Sequence, residues 1–99
     1  MERRTLSLTT PARRDLHSIR RYSMKSWGRD QTEAYVSLLL STAELLCDFP
    51  ERGRLVSSDS TNVHRVMIER HVIYYRVFES EIEIIRILHE RMDATSLFG

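Results

Sequence analysis

VHRVMIERHVIYYRVFESEIEIIRIL, residues 63–88, decides the fold. It holds three apolar, β-branched runs at 63–68, 72–78 and 82–88, and only Glu79-Ser80-Glu81 separates the last two. Valine, isoleucine and tyrosine suit a pleated, half-buried surface, and connections this short join antiparallel neighbours. The stretch therefore predicts a three-stranded antiparallel meander. Successive side chains of a strand point to opposite faces, so Tyr74 and Tyr75 are expected on opposite sides, one in the core and one on an exposed face or beneath a partner. Just upstream, residues 51–62 shift towards Gly, Ser, Asp and Thr, with Leu55 and Val56 as the apolar exceptions, which reads as a loop.

Further towards the N-terminus the apolar period becomes helical. Tyr35, Leu38, Leu39, Thr42, Leu45, Leu46 and Phe49 form one stripe, and Pro50 ends it by excluding helical backbone at the preceding residue. Asp30-Gln-Thr-Glu33 has the form of a capping box, which makes Asp30 the expected cap of a helix of about twenty residues. A second stripe, Ala12, Leu16, Ile19, Ser23 and Trp27, lies on a helix expected to open with Thr10 as cap and Pro11 in its first turn, and to end near Gly28. So short a connection folds the two helices into an antiparallel hairpin. Before them, residues 3–8 alternate polar and apolar, a strand with Leu6 and Leu8 inward. The order β-α-α-β-β-β, N-terminal strand, helical hairpin and meander, is an α+β layout with the hairpin covering one sheet face. Residues 1–99 read as a single domain, with 94–99 as a C-terminal tail.

Composition narrows the function. With 99 residues, 41% hydrophobic and 29% charged, the chain supports one small core and excludes most multidomain enzymes. A single cysteine, Cys47, leaves no internal disulfide and no thiolate cluster, and beside Leu45, Leu46 and Phe49 it reads as a small buried residue. His17, His64, His71 and His89 lack the i, i+4 pairing of a helical metal site. No metal and no cofactor are expected. No apolar run approaches the ~20 residues of a membrane helix, and the first residues lack the apolar stretch of a secretory signal. A cytoplasmic protein without a membrane partner is the expectation. The net charge of +1 divides unevenly: residues 1–30 hold eight Lys+Arg against three Asp+Glu, +5, which leaves −4 for the rest. A near-neutral total argues against coating nucleic acid by charge alone, and no sequence-specific nucleic-acid binding is expected. Fourteen of the fifteen basic residues are arginine, which favours planar pairing to carboxylates or phosphates.

The string LTTPARRDLHSIRRYSMKSWGRDQTEAYV, residues 8–36, resembles the opening of ParE toxins of type II toxin-antitoxin modules, within the RelE/ParE superfamily. Leu8, Ala12, Asp15-Leu16, Ile19, Tyr22, Trp27-Gly28, Gln31 and Tyr35 carry the likeness. Phe49-Pro50 with Gly53-Arg54 is similar to the family's Asn-Pro-x-x-Gly-x loop, and HVIYYRV (71–77) with IIRILHERMD (84–93) to its last strands and terminal motif. Two places depart: Glu69 stands where the family often has glycine or another small residue, and residues 55–63 do not follow the usual loop.

The resemblance implies a parallel contact between the first and last strands. It also implies a non-enzymatic toxin that binds and inhibits DNA gyrase, blocks replication, and is neutralised by a ParD-like antitoxin in a hetero-oligomer. A groove for that antitoxin is expected to involve Arg13, Leu16, Arg20, Trp27 and Tyr35, with Leu38, Leu39 and Tyr75. Target contact is expected at Arg86, His89, Arg91, Met92, Leu97 and Phe98. An alternative within the fold is ribosome-dependent cleavage of mRNA of the RelE type, for which Arg65, Arg86, His89, Glu90 and Arg91 supply a set: Arg86 and Arg91 would stabilise the phosphate and His89 or Glu90 move the proton. Against it, residues 63–93 hold five basic and six acidic residues. A third reading is a non-toxic antitoxin-binding regulator. For Arg86 and Arg91 structural pairing with Asp15, Glu90 or Asp93 stands beside target contact.

Overall fold

The last strand organises the molecule. In the computed structural model, which describes residues 3–56 and 62–92, β5 (Glu81–His89) has β4 (His71–Val77) antiparallel on one side. On its other side β1 (Thr5–Leu8) runs parallel to it, with Leu6 opposite Ile82. β3 (Val63–Ile68) pairs antiparallel with β4, and β2 (Arg54–Leu55) antiparallel with β3. The result is a five-stranded mixed sheet in the order β1-β5-β4-β3-β2. The α+β order and the parallel first-to-last contact stand as expected, and the meander gains one strand. Arg54 and Leu55 fall in the segment read as loop, because two residues are too few for a period to show.

Two helices, α1 (Thr10–Trp27) and α2 (Arg29–Leu46), meet at Gly28 alone. Its φ of 83° and ψ of −178° lie in a region essentially restricted to glycine. This residue closes one helix, donating its N–H to the Met24 carbonyl, and opens the next, accepting from the Thr32 N–H and hydroxyl. With the backbone serving as cap, Asp30 sits inside the first turn of α2 rather than capping it, and Glu33 pairs with Arg20 across the hairpin instead of closing a box. At the start of α1 the cap is Thr9, not Thr10: its Oγ1 accepts from the Ala12 N–H at 3.2 Å. The Thr9 hydroxyl donates to the Ile85 carbonyl at 2.8 Å and its N–H to that of Ile84 at 3.0 Å. Thr9 is thus the residue at which sheet and helix share one anchor.

The core lies between the hairpin and one sheet face, where Ile19, Leu39, Leu46, Ile73, Tyr75 and Ile84 pack together. On α2 the buried row is Thr32, Val36, Leu39, Ala43 and Leu46. The expected inner stripe is therefore corrected: Leu38, Leu45 and Phe49 are 36%, 41% and 49% exposed. A helix with two adjacent apolar rows does not reveal by period which row meets the sheet, and the row carrying the smaller Thr32 and Ala43 lets the backbone approach closely. Val63, Val72, Tyr74, Ile85 and Leu88 form a second buried cluster. Tyr74 and Tyr75 do separate, but neither is exposed. The register slips by one residue between them, Tyr74 facing Arg86 and Tyr75 facing Ile84, a β-bulge that leaves Ile85 as the extra residue. The β3–β4 turn places Glu69 at φ 54°, left-handed backbone that costs a non-glycine residue ~1 kcal/mol.

Candidate functional site

Beyond Leu8, β1 ends and α1 takes over the free edge of β5. Asp15 completes the ladder there: its Oδ2 accepts from the Ile87 N–H at 2.9 Å and from Arg86 Nε at 2.7 Å, while Oδ1 accepts from Arg86 Nη2 at 2.9 Å. The Asp15 and Arg86 side chains are 14% and 26% exposed. A two-pronged guanidinium–carboxylate pair of this kind is stronger and more directional than a lysine pair, and donating to Asp15 raises the Arg86 pKa above its ordinary value. Across the core, the Tyr75 hydroxyl donates to the Pro50 carbonyl at 2.8 Å and accepts from the Gly53 N–H at 3.0 Å. A Cβ on Gly53 would stand 2.3 Å from that oxygen and 2.5 Å from the Arg65 carbonyl, so this loop position has room for glycine alone.

Between the C-terminal half of α1 and the ends of β4 and β5 lies a cleft of about 430 Å³, with Ile19, Tyr22, Trp27, His71, His89 and Met92 among its walls. Trp27 meets Tyr22 edge-on and carries the Arg70 guanidinium 5.4 Å above its ring. At its margin the Tyr35 hydroxyl lies 2.5 Å from His71 Nδ1, and the His71 and His89 rings meet edge-on with centroids 5.4 Å apart. Burial, then the neighbouring His89, push the His71 pKa below its usual value, and burial raises that of Tyr35. His89 Nδ1 accepts from the Arg91 N–H at 3.1 Å. Among the described residues no cluster of His, Cys, Asp or Glu is placed to hold a metal ion.

A model of the ParE toxin of type II toxin-antitoxin systems matches residues 6–94. The chain belongs to the ParE toxin family. Toxin ParE1 of Caulobacter vibrioides is 34% identical over 92 residues, covering 93% of this chain and 95% of that one. Toxin ParE1 of Mycobacterium tuberculosis is 30% identical over 87 residues, covering 87% and 89%. In fold, the chain is similar to a chromosomal ParDE system from P. aeruginosa, with a TM-score of 0.74, 23% identity and coverage of 87% and 95%. It is also similar to the RelBE2 toxin-antitoxin complex from Mycobacterium tuberculosis, with a TM-score of 0.69, 19% identity and coverage of 90% and 100%.

The ParE motifs prove to be contacts. Asp15 of the first motif pairs with Arg86 of the last, and Gly53 of the loop seats Tyr75 of HVIYYRV. Of the residues expected in an antitoxin groove, Trp27 and Leu38 are exposed, and Leu16 and Tyr35 are half-buried against the core. Leu39 and Tyr75, at 1% and 0% exposure, are corrected to core residues, the tyrosine because its hydroxyl is consumed by the loop. Arg13 is exposed, and Arg20 is held by Glu33. Of the target set, Arg86 is engaged by Asp15, His89 lines the cleft, and Arg91 and Met92 stand exposed beyond β5. Leu97 and Phe98, like Asp93, lie outside the described residues.

The set drawn for mRNA cleavage does not converge. Arg65 lies opposite Tyr74, whereas His89 lies opposite His71, about three residue steps or ~10 Å apart along the sheet. Glu90 and Arg91 sit in the exposed turn that follows β5. Sequence reasoning passes over Arg70, His71 and Tyr22 as cleft residues. Tyr22 comes from α1, and Arg70 and His71 from the turn before β4 and its first residue, so no local spacing links the tyrosine to the other two.

Proposed function

We propose that this ParE-family chain arrests growth by binding rather than by catalysis, with DNA gyrase as its target, and that a ParD-like antitoxin silences it. The observation that carries the antitoxin part is the outer row of α2. Leu38 and Leu45 are exposed at a spacing of seven, with the small Ala34 and Ser41 before and between them, and Phe49 prolongs the row. An amphipathic helix seats on such a surface through residues of the same i, i+3, i+4, i+7 period. Covering each large side chain contributes on the order of 1 kcal/mol, and Trp27 and Tyr35 extend the row at the hairpin end. The two structural neighbours are themselves a ParDE system and a RelBE2 complex, which supports a hetero-oligomer as the resting form. Neutralisation is then occlusion, strengthened by mass action.

Family membership supports gyrase, and the dispersal of Arg65, His89 and Arg91 together with the capture of Arg86 by Asp15 speaks for binding over RNA chemistry. Target contact falls to the end of β5, His89, Arg91 and Met92, with the tail 94–99. Such a protein works in the cytoplasm, and among the described residues no helix is long and apolar enough to cross a membrane.

Supercoiling by purified gyrase with and without the protein, beside ribosome-dependent cleavage of mRNA in the same preparation, tests this. Lost supercoiling with intact RNA is expected. Cut RNA with normal gyrase would move the chain to the RelE mode, and growth unaffected by expression without antitoxin would make it a regulator. Deleting residues 94–99 should remove gyrase inhibition and leave antitoxin binding in place.

A further inference from the structure

The outer face of α1 has a composition that the antitoxin reading does not use. At 100° per residue, Arg13, Arg14, His17, Arg20, Arg21 and Lys25 fall within one arc of about 140° that faces away from the buried Ala12, Ile19 and Ser23. Arg20 is paired with Glu33, but Arg13, Arg14, Arg21 and Lys25 are exposed and form no ion pair among the described residues. The acid of α1, Asp15, is turned inward and neutralised by Arg86. Only one apolar residue, Met24, interrupts the arc. From Arg13 to Lys25 the cations span about 18 Å along the helix.

We infer that this face binds the phosphate backbone of duplex DNA without reading sequence. Protein partners are gripped through aromatic and apolar anchors within a polar rim, and membranes through a buried apolar face. This arc offers neither, whereas the outer row of α2 offers the first. What it does offer is successive turns of cations, most of them planar guanidinium forks matched to phosphate. The near-neutral total does not oppose this, because the charge is segregated: the +5 of residues 1–30 is opposed by −4 elsewhere, including Glu79, Glu81 and Glu83 around the β4–β5 turn. Contact through four unpaired cations gives weak, salt-dependent association, suited to holding a protein near DNA rather than to an address on it. The inference stands apart from the gyrase and antitoxin readings, since neither partner takes part in its test.

That test is fluorescence anisotropy of a labelled 25-base-pair duplex of arbitrary sequence, titrated with the purified full chain. Binding is expected to weaken roughly a hundredfold between 50 and 200 mM salt, the slope for about four phosphate contacts. The combined variant Arg13→Gln, Arg14→Gln, Arg21→Gln and Lys25→Gln should lower affinity roughly thirtyfold or more at 50 mM salt. Glutamine keeps helix propensity, and an unchanged circular dichroism spectrum confirms folding. Arg52→Gln with Arg54→Gln, cations of a different surface, should leave affinity within about twofold. No binding at 50 mM salt, equal loss in both variants, or polyglutamate of equal charge binding as tightly as the duplex would overturn the inference, the last by making the face a site for acidic protein segments.

Discussion

The two helices of the hairpin are each 18 residues long and bury their inner rows against the same sheet, yet their outer faces are opposite in kind. α1 turns Arg13, Arg14, Arg21 and Lys25 to solvent, and α2 turns Leu38 and Leu45. A helix that only completed a core would show an ordinary mixed surface on its far side. Here the outer faces differ in chemistry, one apolar and the other cationic, which is the ground for proposing an apolar partner for the first and an anion for the second.

The comparison breaks most sharply at paired positions on one helix. Leu39→Ala, on the inner row of α2, should destabilise the fold by about 3 kcal/mol in urea denaturation. Leu38→Ala, one residue away on the outer row, should cost less than about 1 kcal/mol while weakening antitoxin binding. Equal losses of stability would mean that the outer row belongs to the core after all. On α1 the matching pair is Asp15→Asn against Arg14→Gln. Asp15→Asn abolishes the pairing with Arg86 and weakens acceptance from the Ile87 amide, and should cost about 2 kcal/mol given the partial exposure of the pair. Arg14→Gln should leave stability within about 0.5 kcal/mol.

A smaller effect belongs to the end where the two helices join the sheet. His71 is held neutral by burial, so its pKa in the folded chain lies below the value of 6.5 that it regains on unfolding. The unfolded chain then takes up the proton first, and stability declines as pH falls through about 6.5, with no contribution above it. Thermal melts from pH 7.5 to 5.5 should show a decline that is shallower in His71→Gln. Identical slopes would place His71 in an open, well-hydrated setting.

Much of the fold is legible in the sequence because its signals are local and strong. The β-branched runs of 63–88 and the helical period of 12–27 survive in the structure, whereas α2 ends at Leu46, three residues before the expected stop, and Pro50 opens a short 3-10 turn of its own. What is not legible depends on partners far away in sequence. Thr9 displaces Thr10 as cap because β5 supplies its hydroxyl with the Ile85 carbonyl. Glu33 leaves its capping box for Arg20. Which apolar row of α2 faces inward is settled by the sheet, not by the helix. At the site, Asp15 with Arg86 is among the pairings that the sequence suggests, but Tyr35 with His71, 36 residues apart, leaves no mark in either local pattern. Tyr75 reads as a groove aromatic until the loop at Gly53 is folded onto its hydroxyl.

The proposed antitoxin-binding face is the outer row of α2, and growth on inducible expression tests that most directly. Wild-type chain should arrest growth alone and be rescued by co-expression of its ParD-like antitoxin, whereas Leu38→Glu with Leu45→Glu should arrest growth in both conditions. Full rescue of that variant would contradict the account and place the antitoxin on another surface.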